Sequence, residues 1–568
     1  MQFFKESRQF VKAHPMVQAL VLAAAYCMVV SVITWPLLSL VITGNPERLY
    51  AEPSHCDTGG TLWFHWWFDN AVRNGFDFFD SPFLSYPAGE NIWVTAGNFM
   101  LFLVAWPIMH LRGLIAGYNT IVWLLCLLNC LAGYYLVRLT IPGRTWAFIG
   151  GIGVAFNNFT FREMWSGRLE QLFVAAMVIG IAMLIRLARE PSWRTALGWA
   201  AALIITSLFS WHYGIMLGMV GALAMFGWSV RQNWRAVRFG IAGGAFALLA
   251  LMPLILNLGR AFAGEYSWHP VASEETTQHL MLAIMRSESL DLATLQLRAP
   301  TISRFSVAFL LAPLSVGLVF FSALRRQGRS WMLFGGIALL MAMGPVAEAA
   351  GHTFPLPFLL LMKTVPYMVR FLWPIRFIIF FYIAASILLT MIFRQCWETT
   401  RPAGRLVLTA ITALLIWGEI AGDSQIYRHL DARRFDQPRI YYELARMPPG
   451  AMLELPVNSF SMVAQTVHGK PLFSGSIATP APIVPDRTRH ILEESGLDGP
   501  PPVAPTARLR RFLNRHQFRY LLLNEKRFRE IGACDTGCWR NVLKNYENEF
   551  GPPVAVDKRA GLVLFAVK

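Results

Sequence analysis

"NFMLFLVAWPIMHLRGLIA", Asn98–Ala116, is the stretch on which the threading of the whole chain turns. It is apolar enough to enter a bilayer, yet Pro107, His110 and Arg112 interrupt it. A crossing helix needs about 20 predominantly apolar residues. Further apolar runs lie near 16–42, 118–138, 145–160, 170–187, 196–210, 212–229, 237–258, 304–323, 331–349, 372–394 and 404–421. Basic clusters mark the loops that face the cytoplasm. They are Lys5, Arg8 and Lys12 before the first run, then "RLAREPSWR" (Arg186–Arg194), "RQNWRAVR" (Arg231–Arg238), "RRQGR" (Arg325–Arg329) and "RQCWETTRPAGR" (Arg394–Arg405). If every run crossed, the cluster after Arg186 would face outward, against that bias. If Asn98–Ala116 only dips into the bilayer, as a re-entrant helix covered by protein or water, the clusters return to the inner side. The expected fold is a polytopic α-helical membrane protein of about 11 transmembrane helices, N-terminus inside and C-terminus outside.

Composition agrees. Of the 568 residues 55% are hydrophobic and 15% charged, where soluble domains carry about 25% charged residues. The first run, about Pro15–Val41, is too long for a secretory signal peptide. The net charge of +16 follows from Lys and Arg in inner loops; no zinc-finger spacing, recognition module or basic tail supports nucleic-acid binding. Residues 1–421 form the expected membrane domain, with a long outer loop at 43–117. From 422 to 568 charge is mixed and hydrophobicity alternates. "GAMLELPV" predicts a strand, "RFLNRHQFRYLLLNEK" a helix passing into a strand, and "PPVAVDKRAGLVLFAVK" a hairpin turned at Lys558–Gly561. This predicts a small C-terminal α/β domain on the outer face. Of the seven cysteines, Cys27, Cys126, Cys130 and Cys396 sit in or beside apolar runs. Cys534 and Cys538 permit a small disulfide loop in an oxidising compartment, and lack the second pair of ligands that zinc needs.

Three outer stretches hold the chemistry. "HCDTGGTLWFHWW", His55–Trp67, carries the carboxylate of Asp57 beside Gly59 and Gly60, and an amphipathic segment whose Trp63, Trp66 and Trp67 suit the headgroup level. Asp57 is either a solvated loop acid or a group held at the membrane surface. "NNFTFREMWSGRLEQ", Asn157–Gln171, offers Arg162, Glu163, Arg168, Glu170 and Gln171. These are either mutual ion pairs or a site for phosphate and a divalent metal. "KTVPYMVRFLWPIRF", Lys363–Phe377, places Lys363, Arg370 and Arg376 at an outer span end. They either snorkel to lipid phosphate or bind an anionic head group such as a polyprenyl phosphate. Glu348 and Glu419 lie near outer span ends, His212 sits in the turn "SWHYG", and His55, His65, His269 and His279 lack metal-ligand spacing. No Walker, GxSxG, HExxH or Rossmann pattern is present.

In order along the chain, "CDTGGTLWFHWWFDNAVRNGFDFFDSPFLSYPAGENIWVTAGN", "FNNFTFREMWSGRLEQLFVAAMVIGIAML", "SLFSWHYGIM", "VPYMVRFLWPIRF", "MLELPV" and "HGKPLFSGS" resemble the bacterial GT-C-type integral membrane glycosyltransferases. The resemblance implies an enzyme of the bacterial cytoplasmic (inner) membrane, with a short periplasmic C-terminal domain. Such an enzyme takes a sugar from a polyprenyl-phosphate carrier on the outer face and passes it to a glycan, lipid or protein acceptor. By position, Asp57 is implied as catalytic base or acceptor-orienting acid, and Glu163 or Glu170 as the second acid. Arg162, Arg168, Lys363, Arg370 and Arg376 are implied on the donor phosphate, with His55, His65 and Gln171 in support. A divalent cation (Mg or Mn) would be held by Asp57, Glu163 and Glu170. The sequence departs from the family in lacking paired adjacent acids in the first loop and in placing Arg168 where a histidine is often found. Two other classes remain: a transporter or flippase for lipid-linked glycans, for which no internal repeat is evident, and a non-catalytic assembly partner.

Overall fold

The computed structural model describes residues 15–53, 55–93, 98–263, 282–286, 289–290, 326–349, 352–365, 368, 371, 373–402, 404–405, 407, 410, 432–457, 461–473, 486–534 and 536–567. The membrane part opens with α1 (Pro15–Ile33), α2 (Leu37–Thr43) and β1 (Arg48–Leu49), followed by α3 (Cys56–Asn74) and the small hairpin β2 (Asp80–Ser81) and β3 (Glu90–Asn91). Next come α4 (Phe99–Arg112), α5 (Leu114–Thr140), α6 (Arg144–Ala155), α7 (Asn158–Trp165), α8 (Leu169–Leu172), α9 (Ala175–Arg189), α10 (Trp193–Phe209), α11 (Trp211–Val230) and α12 (Trp234–Ala263). Beyond these lie α13 (Arg326–Ala342), the hairpin β4 (Val346–Ala349) and β5 (His352–Pro355), α14 (Pro357–Thr364), a 3-10 turn at Pro374–Phe377, and α15 (Ile378–Thr399).

Among the described residues six helical segments are long and apolar enough to cross a membrane: Met16–Ile33, Leu114–Thr140, Leu169–Arg189, Trp211–Val230, Trp234–Ala261 and Pro374–Thr399. The runs at 98–116, 145–160, 196–210 and 331–349 form the shorter helices α4, α6, α10 and α13. Run 304–323 and most of 404–421 lie outside the described residues, as do Arg370, Glu419, His269 and His279. The opening stretch becomes α4, whose 14 residues span about 21 Å at 1.5 Å per residue against a hydrocarbon core of about 30 Å. It stops at Gly113, whose φ of +81° turns the chain directly into α5.

Helix α5 packs against α6, α9, α4 and α1. Its Gly133 faces Gly151 of α6 so closely that a Cβ there would sit 2.9 Å from the Gly151 carbonyl oxygen, the small-residue contact that lets membrane helices touch backbones. Its Asn129 repairs the break between α8 and α9. The side-chain amide donates to Leu172 O at 2.8 Å and accepts from Val174 N at 3.1 Å and Ala175 N at 3.0 Å. A buried interruption leaves backbone groups that need such partners.

The C-terminal part comprises β6 (Arg433–Arg434), α16 (Arg439–Arg446), β7 (Ala451–Leu455), α17 (Ser461–His468), α18 (Asp486–Ser495), α19 (Ala507–Arg515), β8 (Phe518–Asn524), α20 (Glu525–Glu530), α21 (Thr536–Phe550), β9 (Ala555–Asp557) and β10 (Leu562–Ala566). Its sheet runs β7-β8-β10-β9, with β7 parallel to β8 and the other pairs antiparallel. Successive residues alternate across the pleat. Leu453, Leu521, Leu523 and Phe565 pack with Phe512 and Trp539 on one face; Met452, Tyr520, Leu522 and Leu564 pack with Ile440 and Leu444 on the other. A disulfide joins Cys534 and Cys538.

This part is tied to the first loop. Strand β6 pairs with β1, and Leu472 N donates to Phe83 O at 2.9 Å while Tyr86 N donates to Leu472 O at 2.8 Å. Helix α17 lies on α3, where Trp63 Nε1 donates to Gln465 Oε1 at 2.5 Å. The expected tryptophan belt is therefore corrected for Trp63 and Trp67, while Trp66 is half-buried. Trp63 and Trp67 are fully buried and stack at 6.1 Å, because α17 and the segment after α3 cover them before lipid can.

Candidate functional site

Helix α3 begins where His55, in extended conformation, accepts from Asp57 N at 3.2 Å through Nδ1. That cap puts Asp57 in the first turn, where the helix N-terminus favours a carboxylate. Helix α7 is capped reciprocally by Asn157 and Thr160 and ends at Ser166–Gly167. Gly167 has a φ of +74°, and a Cβ on it would lie 2.6 Å from Thr58 Cα. Thr61 Oγ1 donates to Gly167 O at 2.8 Å. Only glycine fits this turn against α3.

The lock delivers Arg168 to both carboxylates. Its Nε donates to Asp57 Oδ2 at 2.6 Å and its Nη1 to Glu163 Oε2 at 3.3 Å. Glu163 is 1% exposed and also lies 3.9 Å from Arg162 Nη1. A carboxylate so buried needs paired cations. Burial opposes the charge on Asp57, but the charge and hydrogen bond of Arg168 outweigh it and hold the carboxyl below its usual range. Burial and the Arg168 charge push the His55 imidazole down, so it is neutral at pH 7. Asp57 remains 36% exposed.

The third stretch reaches the same place from the other side of the bundle. Arg376, in the 3-10 turn before α15, is 7% exposed, and among the described residues its Nη1 has no partner. Its guanidinium lies 4.5 Å from the Trp373 ring. It is within electrostatic reach of Asp57, Arg168, Glu163, Glu170 and Tyr213. Gln171 is buried, with Nε2 3.5 Å from Ser210 Oγ and its backbone carbonyl accepting from Tyr213 OH at 2.7 Å. Asp57, Glu163, Glu170, Arg162, Arg168, Arg376, His55 and Gln171 thus belong to one neighbourhood. Lys363 is exposed at the end of α14 and takes no part in it. His65 is also elsewhere: it is 3% exposed, edge-on to Phe102 at 5.0 Å, and pushed down by burial to about 3. Gly167 and Tyr213 were not singled out for the site from sequence. A glycine directly before an arginine in a short interhelical loop was the available signal for the first.

A divalent cation does not fit this set. Among the described residues no group of three or more His, Cys, Asp or Glu side chains converges as ligands. Asp57 and Glu163 do approach each other, but the Arg168 guanidinium lies between them and bonds to both. A hard cation requires those oxygens for itself.

No family model matches the sequence, and no curated protein matches it. Solved structures do. The mycobacterial arabinofuranosyltransferase AftD matches at a TM-score of 0.52 and 14% identity, covering 95% of this chain and 41% of that one. The Archaeoglobus fulgidus oligosaccharyltransferase, in complex with Zn and sulfate, matches at 0.50 and 12%, covering 91% and 70%. ArnT from Cupriavidus metallidurans, bound to undecaprenyl phosphate, matches at 0.46 and 14%, covering 97% and 98%. The chain shares its fold with the arabinofuranosyltransferase and the oligosaccharyltransferase, at TM-scores of 0.52 and 0.50.

Proposed function

We propose that this chain transfers a sugar from a polyprenyl-phosphate-linked donor to an acceptor hydroxyl on the outer face of the bacterial cytoplasmic membrane. It would do so with about 11 spans, its N-terminus inside and its C-terminal domain periplasmic. The observation that carries this reading is the convergence of Asp57, fixed by Arg168, with the buried and unsatisfied Arg376. Donor and acceptor chemistry each find a partner there. The acceptor hydroxyl bonds to the exposed Asp57 carboxylate. Its oxygen attacks the anomeric carbon, the bond from that carbon to the phosphate oxygen breaks, and the phosphate leaves with the electron pair. Asp57 orients the hydroxyl and receives its proton. Arg376 and Arg168 stabilise the charge growing on the phosphate, the role a metal would otherwise fill. The glycosyltransferase names of the two structures that share the fold support this class of reaction.

The test is transfer from a synthetic polyprenyl-phosphate sugar by the purified full chain. Asp57→Asn is expected to lower kcat by about 10²–10⁴-fold, and Arg376→Ala by about 10²-fold or more. Unchanged rates in both variants would remove the site from the reaction.

A further inference from the structure

Away from the candidate site, the C-terminal part carries a cleft of about 1160 Å³ between α16 and the β9–β10 hairpin. Arg446 of α16, Lys526 of α20, and Lys558 and Arg559 at the hairpin turn line it. All four are exposed, and among the described residues none has an ion pair or hydrogen bond from its side chain. The acids in the cleft are already engaged. Glu443 accepts from Arg439 at 2.8 Å, Asp557 accepts from Ala560 N at 3.0 Å, and Asp436 lies 3.9 Å from Arg434. Five cations, counting Arg439, and three acids thus line one space on neighbouring elements, which leaves the cleft net positive. Tyr442, 46% exposed, and Val556, 50% exposed, add apolar area beside them.

The position of the cleft identifies what meets it. Phe435, one residue before Asp436, donates its N–H to Glu47 O at 2.7 Å. Glu47 lies four residues beyond the end of α2 at Thr43, a reach of at most about 14 Å. Helix α2 carries apolar side chains on its open side up to Ile42, which is 73% exposed, and we take that side to meet lipid. The edge of the hydrocarbon layer therefore falls beside the mouth of the cleft. Basic side chains with aromatic and aliphatic neighbours at that depth have the chemistry that anionic headgroups attract.

We propose that this cleft binds the phosphate headgroups of anionic phospholipids in the adjacent leaflet, fastening the C-terminal part to the bilayer surface. The binding does not depend on the transfer reaction.

The experiment titrates the full-length protein in detergent with phosphatidylglycerol and with phosphatidylcholine, reading bound lipid by native mass spectrometry. The triple variant Lys526→Glu, Lys558→Glu, Arg559→Glu is compared with a control pair, Arg540→Glu and Lys544→Glu, at exposed positions on α21. At about one kcal/mol per cation near an anionic surface, the triple variant is expected to lose about a hundredfold in phosphatidylglycerol affinity. The control should change by less than about threefold, and phosphatidylcholine binding should not move. The milder pair Lys558→Gln, Arg559→Gln should show an intermediate loss and confirms the site if the triple variant misfolds. Equal losses in triple variant and control would overturn the proposal. So would unchanged phosphatidylglycerol binding in the triple variant, or an acidic oligouronate occupying the cleft while phosphatidylglycerol does not.

Discussion

Arg168 holds two carboxylates at once, and that makes it the residue whose loss is felt in two ways. Arg168→Ala leaves Glu163, 1% exposed, without its closest cation. Breaking a buried pair on one side costs about 3–5 kcal/mol, so the variant should melt earlier in detergent. It also releases Asp57, and the pH dependence should show it. The Asp57 carboxyl is held below its usual range in the folded chain, so it stays ionised through neutral pH. Its stabilising contribution is present above the ordinary carboxylate range and is lost only as pH falls through the lower folded value. The acid limb of the transfer rate should therefore lie below about pH 4 in the native chain and rise in Arg168→Ala. A limb unmoved by the substitution would count against the pairing. Asp57 itself was legible from sequence as a lone acid beside glycines. Its partnership with Arg168 was not, because 111 residues separate them and no pattern within either loop encodes a contact between the two.

Elements are where the reading by local pattern did well and where one inference went astray. The turn residues Lys558–Gly561 followed by an apolar run identified the hairpin, whose second strand, β10, is buried on both faces. The tryptophans of α3 looked interfacial because an amphipathic segment has the same pattern whether lipid or protein covers it. The covering residue, Gln465, lies 402 positions away. Two elements give tests. Gly167→Ala forces a Cβ into the Thr58 backbone at a positive φ, which costs of order 1–3 kcal/mol. It should lower transfer more than it lowers the melting temperature, because the turn also aims Arg168. Within α3, buried His65 is pushed down to about 3. The unfolded chain takes up this proton below about pH 6.5 while the folded chain does not. Stability should thus fall on acidification, by up to roughly 4 kcal/mol near pH 3. His65→Phe should flatten that part of the stability profile, measured by thermal unfolding, and leave transfer intact, since His65 lies outside the site.

On the scale of the molecule, charge asymmetry and run length were enough for a helical membrane protein followed by an α/β part. The number of crossings was less accessible, because four of the apolar runs become helices of 12 to 17 residues, and hydropathy does not register where a helix stops short. The joining of the two parts was not legible at all, since it rests on backbone pairs such as Phe83 with Leu472. Gln465→Ala probes the join: it leaves buried Trp63 Nε1 unpaired, at a cost of about 1–3 kcal/mol. Both the melting temperature and the transfer rate should drop, because α3 carries Asp57.

That join also orders events during synthesis. Trp63 is made 402 residues ahead of Gln465, an interval of roughly 20 to 80 s at ordinary ribosomal speeds. Through that interval Trp67 can be covered by the Phe76–Phe83 segment that follows α3, but Trp63 lacks the partner that caps its indole nitrogen. The polar residues of the site are all translated by Arg376, yet the helix that seats α3 comes afterwards. The site is thus completed only after Gln465 has been made, 89 residues beyond Arg376, and a chain arrested between the two would offer the uncovered Trp63 to a holdase.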